Sequence, residues 1–208
     1  MKITQIASLV LLLISNSLLA GQWMVGGNLG IAWGGAGGGD LNKELVNRGI
    51  NASISDIDNN RAMAQIFVGY EYRSRWGVEL AYVDLGDVSA SINGTITGIN
   101  DYFANGQDIY PQTATGFQLS SVYRYPVSGQ LQLTARVGAF SWTTDYTLQT
   151  NTASQDISED GIDISYGIGL ETGRWIRQGG IVGQVNWERY RVNGETIDAL
   201  VFGVSYRF

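Results

Sequence analysis

The stretch Ala199-Leu-Val-Phe-Gly-Val-Ser-Tyr-Arg-Phe208 decides how the rest of the chain is read. Leu200, Phe202, Val204, Tyr206 and Phe208 fall on one face of an extended segment, and Val201, Gly203, Ser205 and Arg207 on the other. Side chains alternate across a strand with period two, so this spacing predicts a β-strand between two unlike environments. Upstream, Ile162, Ile164, Tyr166, Ile168 and Leu170 alternate in the same way with Asp163, Ser165, Gly167, Gly169 and Glu171. The pattern is found over 23–33, 62–72, 76–86, 115–125, 130–142, 161–172, 180–190 and 198–208. Each segment has about the 9–11 residues that a tilted strand needs to cross a membrane.

The connections between these segments also alternate. Those near 73–75, 126–129 and 173–179 are short and hold Arg73, Arg75, Pro126, Ser128, Gly129 and Gly179. Those near 34–61, 87–114 and 143–160 are long, polar and rich in Gly, Asn, Asp and Thr, while the last, 191–197, is shorter. Pro111 and Pro126 both fall in connections, where no ladder hydrogen bond is lost. Short turns on one side and long loops on the other predict an all-β, eight-stranded antiparallel up-and-down transmembrane β-barrel of the outer membrane. Its turns and both termini are expected on the periplasmic side, and its long loops outside.

A soluble eight-stranded barrel would alternate equally well, and three features argue against it. Trp23 and Trp33 share one face ten residues apart. At about 3.3 Å per residue and a tilt near 40°, that spans roughly 25 Å, the height of a lipid-facing band. Three segments end in same-face aromatic pairs, Tyr70 with Tyr72, Tyr123 with Tyr125, and Tyr206 with Phe208. Aromatic rings collect at headgroup depth, so these eight residues form the expected girdle. Finally, the opposite face reads as too polar and too Gly-rich for a dry core.

Composition agrees with export and with the absence of catalysis. Of 208 residues, 44% are hydrophobic and 15% charged, with 28 Gly against 2 Pro, which is neither a disordered tail nor a helical membrane protein. The chain has no Cys and no His, so disulfides, thiolate metal sites, cysteine nucleophiles and the commonest general base are all missing. Its net charge of −6 argues against nucleic acid as a partner. Lys2, the apolar run from Ile6 to Ile14, polar Ser15-Asn16-Ser17 and small Ala20 predict a secretory signal peptide over 1–20. The cut is placed after Ala20, with Ser17 as the alternative, leaving 21–208 as the barrel domain.

With the apolar rows against lipid, the other rows point inward. They carry Asn28, Gln65, Gln118, Gln132, Gln184 and Asn186, together with acids Glu71, Glu79, Asp163, Glu171 and Glu188 and bases Arg124, Arg136 and Arg207. Eight strands enclose room for side chains rather than an open channel. Charges there must pair, since isolated buried ions are costly. The expected arrangement is an arginine-bridged carboxylate cluster with Arg136 between Glu79 and Glu171. Inward arginines would keep the carboxylates ionised, which removes them as a tuned acid–base pair.

At this point the chain resembles the transmembrane domain of the OmpA family across nearly the whole of 21–208. The resemblance rests on Trp76-Gly-Val-Glu-Leu-Ala-Tyr82, Gly116-Phe-Gln-Leu-Ser-Ser121, Tyr125-Pro126 and Leu133-Thr-Ala-Arg-Val-Gly138. It continues in Gly167-Ile-Gly-Leu-Glu171 and the terminal Phe202-Gly-Val-Ser-Tyr-Arg-Phe208. The resemblance implies that Tyr206 and Phe208 form the signal read by the barrel-assembly machinery, with periplasmic chaperones as partners in biogenesis. It also implies an interior quartet of two glutamates, a lysine and an arginine acting as a switchable plug. Glu79 and Glu171 match the acids, whereas the basic positions fall on Val122 and Gln184. Two-domain members carry a peptidoglycan-binding domain after the barrel, and that anchoring role is not expected here.

Other motifs are weak. Gly34 to Gly39 lacks the Gly-Lys-Ser/Thr ending of a phosphate loop. Asp56-Ile-Asp-Asn-Asn60 resembles the start of a calcium loop, but Arg61 replaces the required Gly and Phe67 the twelfth-position Glu. No metal or cofactor is expected. Asp156, Glu159 and Asp160 could accept divalent cations beside anionic lipopolysaccharide or simply solvate their loop. The expected role is structural, in membrane integrity, with outer-membrane lipids and lipopolysaccharide as partners. Ile92, Ile96, Ile99, Tyr102, Phe103, Ile109 and Tyr110 supply two alternatives for the second long loop. They point to an adhesin or host-contact surface formed by the first and second long loops, or they extend the strands over 76–86 and 115–125 as a hairpin. A narrow gated pore for ions and small solutes is the third functional class.

Overall fold

The computed structural model describes residues 21–34, 52–57, 60–72, 75–87, 90–94, 114–149, 154–172 and 180–208, with 52–57, 90–94, 146–149 and 154–157 described as backbone. The proposed signal segment 1–20 and most of the second long loop lie outside the described residues. Among the described residues ten strands are formed: β1 (Gln22–Gly34), β2 (Ala52–Ile57), β3 (Arg61–Glu71), β4 (Trp76–Asp84), β5 (Ala90–Gly94), β6 (Thr115–Pro126), β7 (Leu131–Gln149), β8 (Ser154–Thr172), β9 (Gly180–Val192) and β10 (Glu195–Arg207). Eight of them close in the order β1-β10-β9-β8-β7-β6-β4-β3, and all neighbours are antiparallel. Closure comes from β1, which pairs with β10 through Leu29↔Phe202 and with β3 through Leu29↔Ala64. A closed sheet satisfies every backbone group without water, the condition for strands in hydrocarbon.

The two rows of each strand separate as the alternation requires. Leu29 is 70% exposed and Phe202 60%, whereas Asn28, Val201 and Ser205 are buried. Leu29, Ile66, Leu80, Leu119, Ile168 and Phe202 all lie on the outer surface, an apolar belt of a kind that soluble monomers rarely expose. Rings gather at both ends of that belt. Trp23 meets Tyr70 at 5.1 Å, Tyr70 meets Tyr72 at 5.0 Å, and Trp76 meets Tyr123 at 4.9 Å at the end bearing the termini. Tyr206 stacks on Phe208, and Arg75 lies over Tyr125, at the same rim. At the opposite end Trp33 faces Asp198, Tyr82 packs on Phe117 and Tyr166 on Trp187.

Beyond the belt, three connections differ from expectation. Within the third long connection, 143–149 and 154–160 are strand rather than loop: β7 and β8 remain paired out to Gln149↔Ser154. Thr143, Thr144, Tyr146 and Thr147 are good strand formers, and above the membrane pairing no longer requires an apolar row. The hairpin rises past the last β6–β7 pair, Thr115↔Thr143, by about six residues or roughly 20 Å. The connection 191–197 shrinks to Asn193-Gly194, whose φ values of 49° and 85° match a type I′ turn. The beginning of the second long loop does not lengthen the neighbouring barrel strands. β5 pairs instead with β2 of the first long loop, with a bulge between Ile54 and Asp56.

Inward glycines set how closely the strands can hold interior side chains. At Gly203 an added Cβ would overlap both the Gly27 carbonyl oxygen and Asn28 Oδ1. Gly203→Ala is expected to destabilise the barrel by about 1–3 kcal/mol, the usual cost of overpacking. Urea titration of protein refolded into vesicles measures it, and an unchanged midpoint would contradict the close packing.

Candidate functional site: the closed lumen

Seven charged side chains form one alternating line through the half of the lumen nearer the termini. Arg136 donates from Nη1 to Glu188 Oε1 at 2.5 Å and from Nη2 to Glu79 Oε2 at 3.1 Å. Arg124 donates from Nη2 to Glu79 Oε1 at 2.5 Å and from Nε to Glu171 Oε2 at 3.2 Å, with Glu71 Oε2 at 3.8 Å. Arg207 then reaches Glu171 Oε2 at 2.5 Å and Glu71 Oε2 at 3.3 Å. The sequence along the line is Glu188, Arg136, Glu79, Arg124, Glu171, Arg207, Glu71, drawn from β9, β7, β4, β6, β8, β10 and β3. The remaining barrel strand, β1, contributes Met24, whose Sδ lies 3.5 Å from Arg124 Nη2. Tyr190 donates its hydroxyl to Glu188 Oε2 and terminates the line.

Arg136 is therefore not the bridge between Glu79 and Glu171; Arg124 is. The register explains the correction. Arg136 lies opposite Gly167, and Gly167 lies opposite Glu188. With no side chain between them, Arg136 reaches across Gly167 to Glu188. Glu171 is four residues further along β8, about 13 Å away. Arg124 faces Thr134, next to the Gln132↔Glu171 pair, and so takes Glu171. Asp163 also leaves the ionic network. It lies on the other side of Gly167, opposite Phe140, and accepts from Trp142 Nε1 at 2.9 Å and from the Asn193 amide at 3.3 Å. Glu159 accepts from Asn193 Nδ2 at 3.0 Å, so the two carboxylates tie the β9–β10 turn to β8.

A second layer is uncharged and runs in one direction. Gln184 donates to Asn28 at 2.6 Å, Asn28 to Gln65 at 2.5 Å, Gln65 to Gln118 at 3.0 Å, and Gln118 to Ser165 Oγ at 3.0 Å. Donors aligned head to tail polarise one another and fix every amide orientation together. The resemblance assigns basic residues to positions Val122 and Gln184. Here Val122 is fully buried, Gln184 joins the amide layer, and Arg124, two residues further along the same row, bridges Glu79 and Glu171.

Above the amides the lumen is apolar, contrary to the expectation of a polar interior throughout. Met63, Val83, Leu85, Phe140, Ile197 and Ala199 are buried there, with Phe140 edge-on to Tyr190 at 5.1 Å. Trp142 joins them, its indole satisfied by Asp163. These residues share the inward parity of the polar set, so continuing the alternation to the strand ends would have placed them. Arg61, Thr144 and Tyr190 are further buried polar side chains in this half. Among the described residues there is no group of three or more His, Cys, Asp or Glu arranged to hold a metal ion.

A family model described as OmpA-like transmembrane domain matches residues 20–173. No curated protein matches the chain in sequence. Among solved structures, the chain is similar to the N-terminal β-barrel domain of Pseudomonas aeruginosa OprF, at 12% identity over 90% of this chain and 99% of that one, with a TM-score of 0.50. It is also similar to Ail of Yersinia pestis, solved in complex with the heparin analogue sucrose octasulfate, at 14% identity over 91% and 100% of the two chains, with a TM-score of 0.49. Neisserial surface protein A matches at 12% identity over 89% and 97%, with a TM-score of 0.45. At these identities the likeness is one of fold.

Proposed function

Because this chain belongs to the OmpA-like transmembrane domain family, an outer-membrane β-barrel family, we propose that it is a structural barrel whose filled lumen holds the cylinder rigid and closed in the service of membrane integrity. The observation that carries this reading is the unbroken ionic line from Glu188 to Glu71, which ties seven of the eight barrel strands to one another through side chains. A buried carboxylate or guanidinium is retained only with partners in place, so each link holds the next. Among the described residues the amide layer and then the largely apolar layer are stacked on this line and fill the lumen with side chains. In this reading the termini and short turns are periplasmic, the β7–β8 hairpin and the β2–β5 sheet are extracellular, and the belt residues contact lipid. Tyr206 and Phe208 present the assembly signal.

The refolded chain is expected to produce no discrete conductance steps in a planar bilayer, and reproducible unitary openings would replace the structural reading by the pore. In cells, loss of the chain is expected to raise sensitivity to detergents. That resistance should return with the full chain and equally with one whose hairpin is shortened between Asp145 and Ser158.

One observation favours a second reading, an extracellular contact role. The β7–β8 hairpin continues well past the last described β6–β7 and β8–β9 pairs, further than closure of the cylinder requires. If this role is primary, the shortened hairpin abolishes cell-surface binding while assembly and detergent resistance stay normal.

A further inference from the structure

The outer row of the barrel strands is free of cations everywhere among the described residues except at Arg189 and Arg191, consecutive outward positions on β9. Their inward neighbours Glu188 and Tyr190 are buried, which fixes the parity. Directly along the strand from Arg189 comes Trp187, then Val185, while Tyr166 and Ile168 flank on β8 and Leu200 and Phe202 on β10. The two arginines therefore stand at the edge of the apolar belt, on the rim of the Asn193-Gly194 turn, at the depth where a lipid headgroup meets its acyl chains.

Arg189 is held in one orientation. Its Nε and Nη2 donate to Asp198 Oδ1 and Oδ2 at 2.7 and 2.9 Å, and its guanidinium carbon lies 5.2 Å from the centre of the Trp187 ring. The bidentate pair uses two of the five guanidinium N–H groups and the Tyr166 hydroxyl engages a third, which leaves two for a ligand. Arg191 is exposed, faces Thr196, and stands about 7 Å along the same row. One cation with a fixed fork and a second beside it, above an apolar wall, constitute a receptor for a phosphate whose lipid lies along that wall.

We propose that Arg189 and Arg191 bind the phosphate of a phosphorylated glycolipid in the outer leaflet, with Trp187, Leu200 and Phe202 against its chains. A phosphate monoester carries about −1.5 to −2 charge at neutral pH and so answers two guanidiniums, one of them already shared with Asp198. A phosphodiester headgroup, with a single charge, is the weaker match. The site rests on the proposed orientation, in which the Asn193-Gly194 turn is extracellular.

The test uses the full chain in phosphatidylcholine nanodiscs. These are doped in turn with lipid A, with lipid A stripped of its phosphates, and with phosphatidylglycerol, and lipid retained by the protein is quantified. The unsubstituted chain is expected to retain lipid A at least about tenfold over the stripped form and above phosphatidylglycerol, with the preference falling in high salt. R189Q/R191Q should abolish the preference, and R191Q alone, which leaves the Asp198 pair intact, should weaken it severalfold. Heat-modifiable migration on a gel establishes that each variant is folded. Equal retention of the two lipid A forms, or a preference unchanged in the folded double variant, overturns the site. Preferential retention of phosphatidylglycerol overturns the assignment to a glycolipid monoester. Glu195→Cys in intact cells separates the underlying reading: failure to react with a membrane-impermeant maleimide overturns the orientation, whereas reaction without lipid preference removes this site alone.

Discussion

Arg124→Met is expected to cost the barrel about 3–5 kcal/mol, the range for removing one member of a buried ionic network. Arg124 is 2% exposed and touches three carboxylates, those of Glu79, Glu171 and Glu71. Met fills much of the volume but neutralises nothing, so Glu79 keeps only Arg136, and Glu171 and Glu71 keep only Arg207. The urea midpoint of vesicle-refolded protein should fall accordingly, and the unfolding temperature on a gel with it. Adding Glu171→Gln should recover part of the loss, because the orphaned charge is itself the larger penalty. A single variant within about 1 kcal/mol of the parent would mean that water enters the lumen freely and solvates these groups.

The outer surface should respond as strongly, for the opposite reason. Leu29 lies midway along β1 between Trp23 and Trp33 and is the clearest midplane position on the belt. Leu29→Arg is expected to lose about 2–4 kcal/mol in vesicles, and Thr143→Arg, outward at the far rim, about 0–1 kcal/mol. Depth dependence distinguishes lipid contact from generic surface perturbation. Equal small effects at both positions would place the outer row in water.

Much of this architecture is legible in the sequence because a membrane barrel imposes period two on every crossing strand. The row containing Leu200, Phe202, Val204 and Tyr206 needs no tertiary information to be assigned. The exact partners inside the lumen are a different matter. Arg136 and Glu171 are both inward, yet which carboxylate Arg136 meets depends on the register β7↔β8↔β9 and on the absence of a side chain at Gly167. Neither is visible in a single strand. The Asn193-Gly194 turn was available from its dipeptide, the strongest short hairpin signal, and a boundary of 191–197 passes over it. The β2–β5 pairing joins two loops some 40 residues apart and leaves no local pattern to read. The apolar upper lumen is legible once parity is carried to the strand ends, because Phe140, Tyr190 and Ile197 share the inward rows of Arg136, Glu188 and Arg207.

The whole account requires that acyl chains reach Phe202 and do not reach Trp142, which is buried inside the cylinder. Two single-tryptophan chains test this in vesicles of brominated lipid, one with Phe202→Trp as its sole indole and one keeping only Trp142. Strong quenching at position 202 with Trp142 spared is the expected result. Quenching of Trp142 with position 202 unaffected would contradict the assignment of every strand face.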